Sequence, residues 1–206
     1  MRFLLLLASL LCAFSAIVDG IVATVGRAVI TDSMVRRALR TGAFLAKTPL
    51  AETAALWEES RNRLIEQALV KEEIRISRYT MAQPDEIRAA VEQVKAQLSG
   101  PAGFASKLAE YRLTEADLAE NLAWQITFSR FITYRFRPAV QVTDEALRRF
   151  YEKWKPAGEK PPFEAARDQV ETEFIAEESA RYLDRWLNEA RQQTRIETLQ
   201  PKGAKP

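Results

Sequence analysis

The chain of 206 residues contains no histidine and a single cysteine, Cys12. The missing imidazole removes the commonest general base and the Ser-His-Asp and Cys-His nucleophile systems. It also removes most zinc sites, so neither a metal nor a cofactor is expected. No G-x-G-x-x-G or G-x-x-x-x-G-K-[ST] phosphate loop occurs. Carboxylates remain, but the pairs Glu72-Glu73, Asp85-Glu86, Asp144-Glu145 and Glu177-Glu178 are adjacent in sequence. Neighbours on a helix point roughly 100° apart and do not converge on one reacting atom. The chain therefore reads as a non-enzyme. Net charge is only +2, which gives no broad field for nucleic acid or anionic lipid. Seven glycines in the whole chain suit long regular elements better than a loop-rich fold.

What is present begins with a signal-peptide pattern over residues 1–16. Arg2 is the positive start, Phe3 to Leu11 the apolar stretch, and Ala13, Ser15 and Ala16 the small residues. Cleavage is expected after Ser15 or Ala16, leaving a periplasmic chain without a stable membrane anchor, because the apolar run is too short to span a bilayer. Leu11, just before Cys12, is too large for a lipidation site. The mature chain then carries 29 basic against 28 acidic residues and no cysteine.

Ile21 to Val25 and Val29-Ile30 are short β-branched pieces around Gly26-Arg27, the pattern of a hairpin with a II′ turn. Helical periodicity then dominates. A helix from Thr31-Asp32 carries Met34, Val35, Ala38 and Leu39 and is expected to stop at Gly42. A long one runs from about Leu50 to Ser77, with a stripe of Trp57, Leu64, Ile65, Ala68, Leu69 and Ile76. Pro84 with Asp85 and Glu86 opens another, expected to end at Ser99-Gly100-Pro101. A short helix spans about Phe104 to Tyr111. Thr114 and Asp117 form a capping-box start for a helix to about Phe136 that is apolar on more than one face. Thr143 caps the next, with Leu147, Phe150, Tyr151 and Trp154. Residues 155–162 (KPAGEKPP) form a linker. The last helix, from about Phe163 to Arg191, is roughly 40 Å long. Thr194 to Leu199 alternates and is expected to add a strand to the hairpin, with a disordered tail over 200–206. The fold class is mainly α, with a small β-hairpin completed by the C-terminal strand.

The stretch from Ser129 to Arg137 interleaves arginine with aromatics, a composition that can serve single-stranded nucleic acid. Cations near a helix C-terminus and packed aromatics are the stronger account, and an exported chain rarely meets nucleic acid, so no nucleic-acid partner is expected.

Several segments resemble the SurA family of periplasmic chaperones. Ile21 to Thr31 is similar to its opening hairpin V-A-x-V-N-G-x-x-I-T, with Gly26-Arg27 where Asn-Gly is usual. Leu64 to Val70 is similar to L-I-x-x-x-L-L. Phe104, Leu108, Leu113, Thr114 and Leu118 follow F-x-x-x-L-x-x-x-G-L-[ST]-x-x-x-L, with Arg112 in the glycine's place. Val142 to Leu147 with Phe150-Tyr151 resembles the helix that leads into the family's parvulin isomerase domain. Here only residues 155–162 stand where that domain would be inserted. Phe163 to Val170 then looks like the segment after it, and Ala180 to Ile196 like the closing helix and strand.

The resemblance implies one N-terminal helical module over 17–154, completed by 163–199. It implies an ATP-independent holdase for unfolded or outer-membrane protein clients, without isomerase activity. Parvulin catalytic residues have no counterpart to occupy. Candidate client contacts are the aromatics Phe104, Tyr111, Trp124, Phe128, Phe131, Tyr134, Phe150, Tyr151 and Trp154. The alternative is a dedicated assembly factor that binds one folded partner or itself, and a homodimer is allowed.

Overall fold

The computed structural model describes residues 19–77, 79–98 and 100–199; the expected signal peptide, Cys12 and the tail from Gln200 lie outside them. Within them the fold is mainly α with one small sheet. Strands β1 (Ile21–Val25) and β2 (Ala28–Thr31) form the hairpin, and β3 (Ile196–Thr198) returns from the far end of the chain. The order is β2-β1-β3, with both neighbours antiparallel to β1 and a bulge between Ile21 and Ala23. Gly26 has φ +56° while Arg27 stays at negative φ, the sign pattern of a II′ turn.

The helices are α1 (Asp32–Leu45), α2 (Ala54–Ser77), α3 (Pro84–Ala96), α4 (Gly100–Glu110), α5 (Glu115–Arg135), α6 (Asp144–Lys153) and α7 (Phe163–Gln193). A 3-10 turn over Arg137–Ala139 follows α5. The local caps set the starts. Asp117 N–H donates to Thr114 Oγ1 (3.2 Å) while Thr114 N–H donates to the Asp117 carboxylate (2.8 Å). Ala146 N–H donates to Thr143 Oγ1 (3.1 Å).

Three expectations about the helices need correction. Helix α1 runs through Gly42, because Ala43, Phe44 and Leu45 still pack inward and the stop comes at Lys47. Lys47 takes φ +54°, Lys47 N–H donates to Phe44 C=O, and Thr48 N–H to Ala43 C=O: a Schellman motif without glycine. Gly100-Pro101 opens α4 rather than closing α3, as proline suits a helix's first turn. In α2, which starts only at Ala54, Ile76 is 60% exposed and Ile74 is buried in its stead.

Three apolar cores result. The first joins the sheet to α2 and the C-terminal ends of α5 and α7, around Val22, Val70, Phe131 and Leu187. The second joins the end of α1 to α3, α4 and the start of α5, around Phe44, Phe104, Leu108, Tyr111 and Leu118. The third packs α6 on the first half of α7, around Leu147, Trp154, Phe163 and Val170. Helix α7 spans two of them with buried Phe163, Ala166, Val170, Phe174, Leu183 and Leu187, a stripe of mostly four-residue steps.

Arg112 repeats the Lys47 geometry. It sits at φ +54°, its N–H donates to Ala109 C=O (3.0 Å), and Leu113 N–H donates to Leu108 C=O (2.9 Å). This is the position where the similar family segment carries glycine. A left-handed residue with a Cβ costs about 1–2 kcal/mol. Glycine there removes that cost but adds about 0.4–1 kcal/mol of unfolded-chain freedom. Arg112→Gly is therefore expected to stabilise the protein by about 0.5 kcal/mol, read as a higher chemical-denaturation midpoint. A lower midpoint would mean that the arginine side chain stabilises the α4–α5 turn.

Candidate functional site

The helices do not close completely on one another, and small side chains are the reason. On α1, Ala38, Gly42, Ala43 and Ala46 at its C-terminal end leave no bulk to fill the space toward α2. On α5, Gln125, Ser129 and Thr133 lie along one line, and on α7 Thr172, Ala176 and Ser179 do the same. Three grooves follow. The first, of about 700 Å³, runs between α5 and α7, with Phe128, Ile132 and Ile175 as its apolar lining. The second, of about 720 Å³, lies between α1, α2, α5 and α7 and is lined by Leu39, Leu56, Leu64, Trp124, Phe128 and Leu183. The third, of about 700 Å³, lies under the hairpin, with Val29, Met34, Leu64, Ile76 and Trp186.

Gln125 and Phe128 line both the first and second grooves, and Leu64 and Gln67 line both the second and third. The three grooves are therefore neighbours that share side chains of α2 and α5 as common walls. Each alone falls in the size range of ligand clefts, about 300–1,000 Å³.

The rims carry the polar groups. Residues 46–51 edge the second groove, and Tyr111 Oη donates to Thr48 C=O (2.7 Å) to hold them there. Arg36 and Arg40 both reach Glu52 (2.9 Å each). Burial pushes the Glu52 carboxyl up, but hydrogen bonds and charge from Arg40 and Arg36 outweigh it and hold the group below its ordinary value. The Lys71 ammonium sits 5.4 Å from the Trp124 ring centre, a cation–π contact at the groove wall. Arg137, Asp168 and Glu171 mark the open side of the first groove.

The nine candidate aromatics separate sharply. Phe104, Tyr111, Phe131 and Trp154 are core residues, at 3, 3, 0 and 6% exposure, and offer no surface in this fold. Tyr111 packs edge-on against Phe44, and the Trp154 indole donates to Glu173 (2.7 Å). Phe150 and Tyr151 are half-buried in the third core, against Phe174 and Phe163. Tyr134 is 74% exposed but lies outside the grooves, edge-on to Tyr79. Only Trp124 and Phe128 are brought together at a groove, stacked at 5.4 Å. The groove residues absent from the candidate contacts are the aliphatic lining, with Leu64 read from sequence only as part of a helix stripe and Leu56, Ile132 and Ile175 beside it, and the small residues that hold the helices apart.

Among the described residues no group of three or more His, Cys, Asp or Glu side chains is placed to hold a metal ion, and no helix is long and apolar enough to cross a membrane. No protein-family model and no curated protein matches the chain.

Proposed function

We infer that this chain is an ATP-independent periplasmic holdase, a non-enzymatic chaperone of the SurA type without isomerase activity. Its clients are unfolded polypeptides, outer-membrane proteins among them. The observation that carries this reading is the set of three neighbouring grooves, each of about 700 Å³, between the helices and under the hairpin. Their linings mix aliphatic and aromatic side chains with polar and charged ones and open to solvent, a combination suited to weak, sequence-tolerant contact with an extended chain. The short connection between Trp154 and Phe163 supports the absence of an inserted isomerase domain.

The chaperone should suppress aggregation of several unrelated denatured proteins at near-stoichiometric ratios, without nucleotide, as followed by light scattering. It should leave the isomerisation of a proline peptide uncatalysed. Protection of none would sink the reading. Protection of one protein alone would favour a dedicated factor that binds a single folded partner or itself. That second reading has its own support in an exposed cluster away from the grooves: Tyr134 beside Tyr79, and Met81 at 53% exposure, its C=O accepting from Arg130 (3.0 Å).

A further inference from the structure

The third groove ends at a strand edge whose hydrogen-bonding groups are left unpaired. In a two-residue hairpin the closing pair, here Val25 and Ala28, exchanges both backbone hydrogen bonds, and the next pair, Thr24 and Val29, exchanges none. The third strand fixes the same phase independently. Gly26 N–H donates to Arg195 C=O and Leu199 N–H to Val22 C=O, both at 2.9 Å. Even-numbered residues of β1 therefore turn toward β3 and odd-numbered ones toward β2. Val29, opposite Thr24, directs its N–H and C=O away from β1 and out of the sheet. It is 47% exposed, and no described residue hydrogen-bonds to it.

We propose that the β2 edge at Val29 and the groove beside it form a backbone-pairing site for an extended, acidic segment of an unfolded client chain. This rests on the chaperone reading and adds to it a second mode of contact. Groups that bond through N–H and C=O call for a partner offering the same pair, which an extended polypeptide does at every second residue. Its intervening side chains enter the third groove next to Met34 and Leu64. Leu64 and Gln67, which also line the second groove, bound this one on its far side.

The charges select for acid. Of the cations lining the third groove, Arg75 is tied to Glu72 and Arg195 to Glu197, each at 2.6 Å. Arg27 and Lys71 have no carboxylate within ion-pair distance among the described residues, although Arg27 lies near enough to Glu72 to act on it and the Lys71 ammonium rests against the Trp124 ring. Glu189 is the single unpaired acid set against them, since Glu73 is bound to Arg135 (3.0 Å).

Val29→Pro tests this directly, because proline is tolerated on an edge strand where its missing N–H would have faced solvent. The probe is a labelled, unstructured peptide alternating apolar residues with glutamate, read by fluorescence anisotropy. The variant should bind it about tenfold more weakly than the wild type, about what one or two good hydrogen bonds are worth. A peptide N-methylated at alternate amides should lose a similar factor on the wild type and little more on Val29→Pro. A lysine-for-glutamate peptide should also bind more weakly. If Val29→Pro fails to fold, the N-methylated peptide on the wild type decides alone. Binding within about twofold for both the variant and the N-methylated peptide overturns the edge site. If aggregation suppression persists in that case, the holdase reading stands without it. If the wild type neither binds the peptide nor protects any denatured protein, both fall together.

Discussion

Truncating Phe131 to alanine should cost about 3–5 kcal/mol, the range for emptying a phenylalanine site in a well-packed core. Phe131 is fully buried, with its ring 5.2 Å from Tyr79, 5.6 Å from Phe136, 5.7 Å from Trp186 and 6.4 Å from Phe128. Four aromatic neighbours from three different segments cannot collapse into the void together, since each is fixed by its own packing. Domains of this size are stable by only about 5–15 kcal/mol, so the loss is a large share of the total. At about 2–4 °C per kcal/mol the melting temperature should fall by roughly 10 °C. Tyr134→Ala, one helical turn further on but 74% exposed, should stay near wild type, within about 0.5 kcal/mol. A Phe131→Ala loss below about 1 kcal/mol would mean that α5 and α7 do not share a core in solution.

That contrast also shows where the sequence is legible. Helix starts are readable because a cap is a local event: Thr114 with Asp117, and Thr143 ahead of α6, need nothing from the rest of the fold. The hairpin and the returning strand follow from alternation and from the turn at Gly26, and both are present. Helix ends were harder. Gly42 looks like a stop, yet the left-handed residues that close α1 and α4 are Lys47 and Arg112, which no propensity would select. The site was harder still. Helix α5 is apolar on several faces because it serves several neighbours: Leu118 and Leu122 enter the second core, Phe131 the first, and Phe128 and Ile132 face the grooves. Counting aromatics cannot sort these roles, as the direction of each depends on helices distant in sequence. The small residues Ala38, Gly42 and Ala46 mark a groove only once a second helix is known to pass them.

The largest functional effect should come from Phe128→Asp. Phe128 lines both the first and second grooves, so one substitution alters both. It is half-buried, stacked between Trp124 and Phe131, and its exposed remainder borders the two grooves. Losing its apolar contact removes about 1 kcal/mol of burial from any client seated there, since only the exposed half of the side chain is left to bury. A carboxylate in its place must also shed part of its water when the client arrives, a further penalty of about 2 kcal/mol at this half-exposed position. At 1.4 kcal/mol per tenfold, affinity for an unfolded chain should drop by about 100-fold, and aggregation suppression should vanish at near-stoichiometric ratios. Some stability will go too, about 1–3 kcal/mol, because the ring also supports Phe131. Phe128→Ser, which removes the ring without adding charge, separates these contributions: it should show a similar stability loss but a milder binding loss. Circular dichroism and a melting curve establish that each variant is folded at the assay temperature. Tyr134→Asp places the same charge on an exposed aromatic outside the grooves and should protect clients as well as the wild type does. If Phe128→Asp folds and still protects denatured proteins at wild-type ratios, clients do not use these two grooves, and the exposed cluster around Tyr134 becomes the surface to pursue.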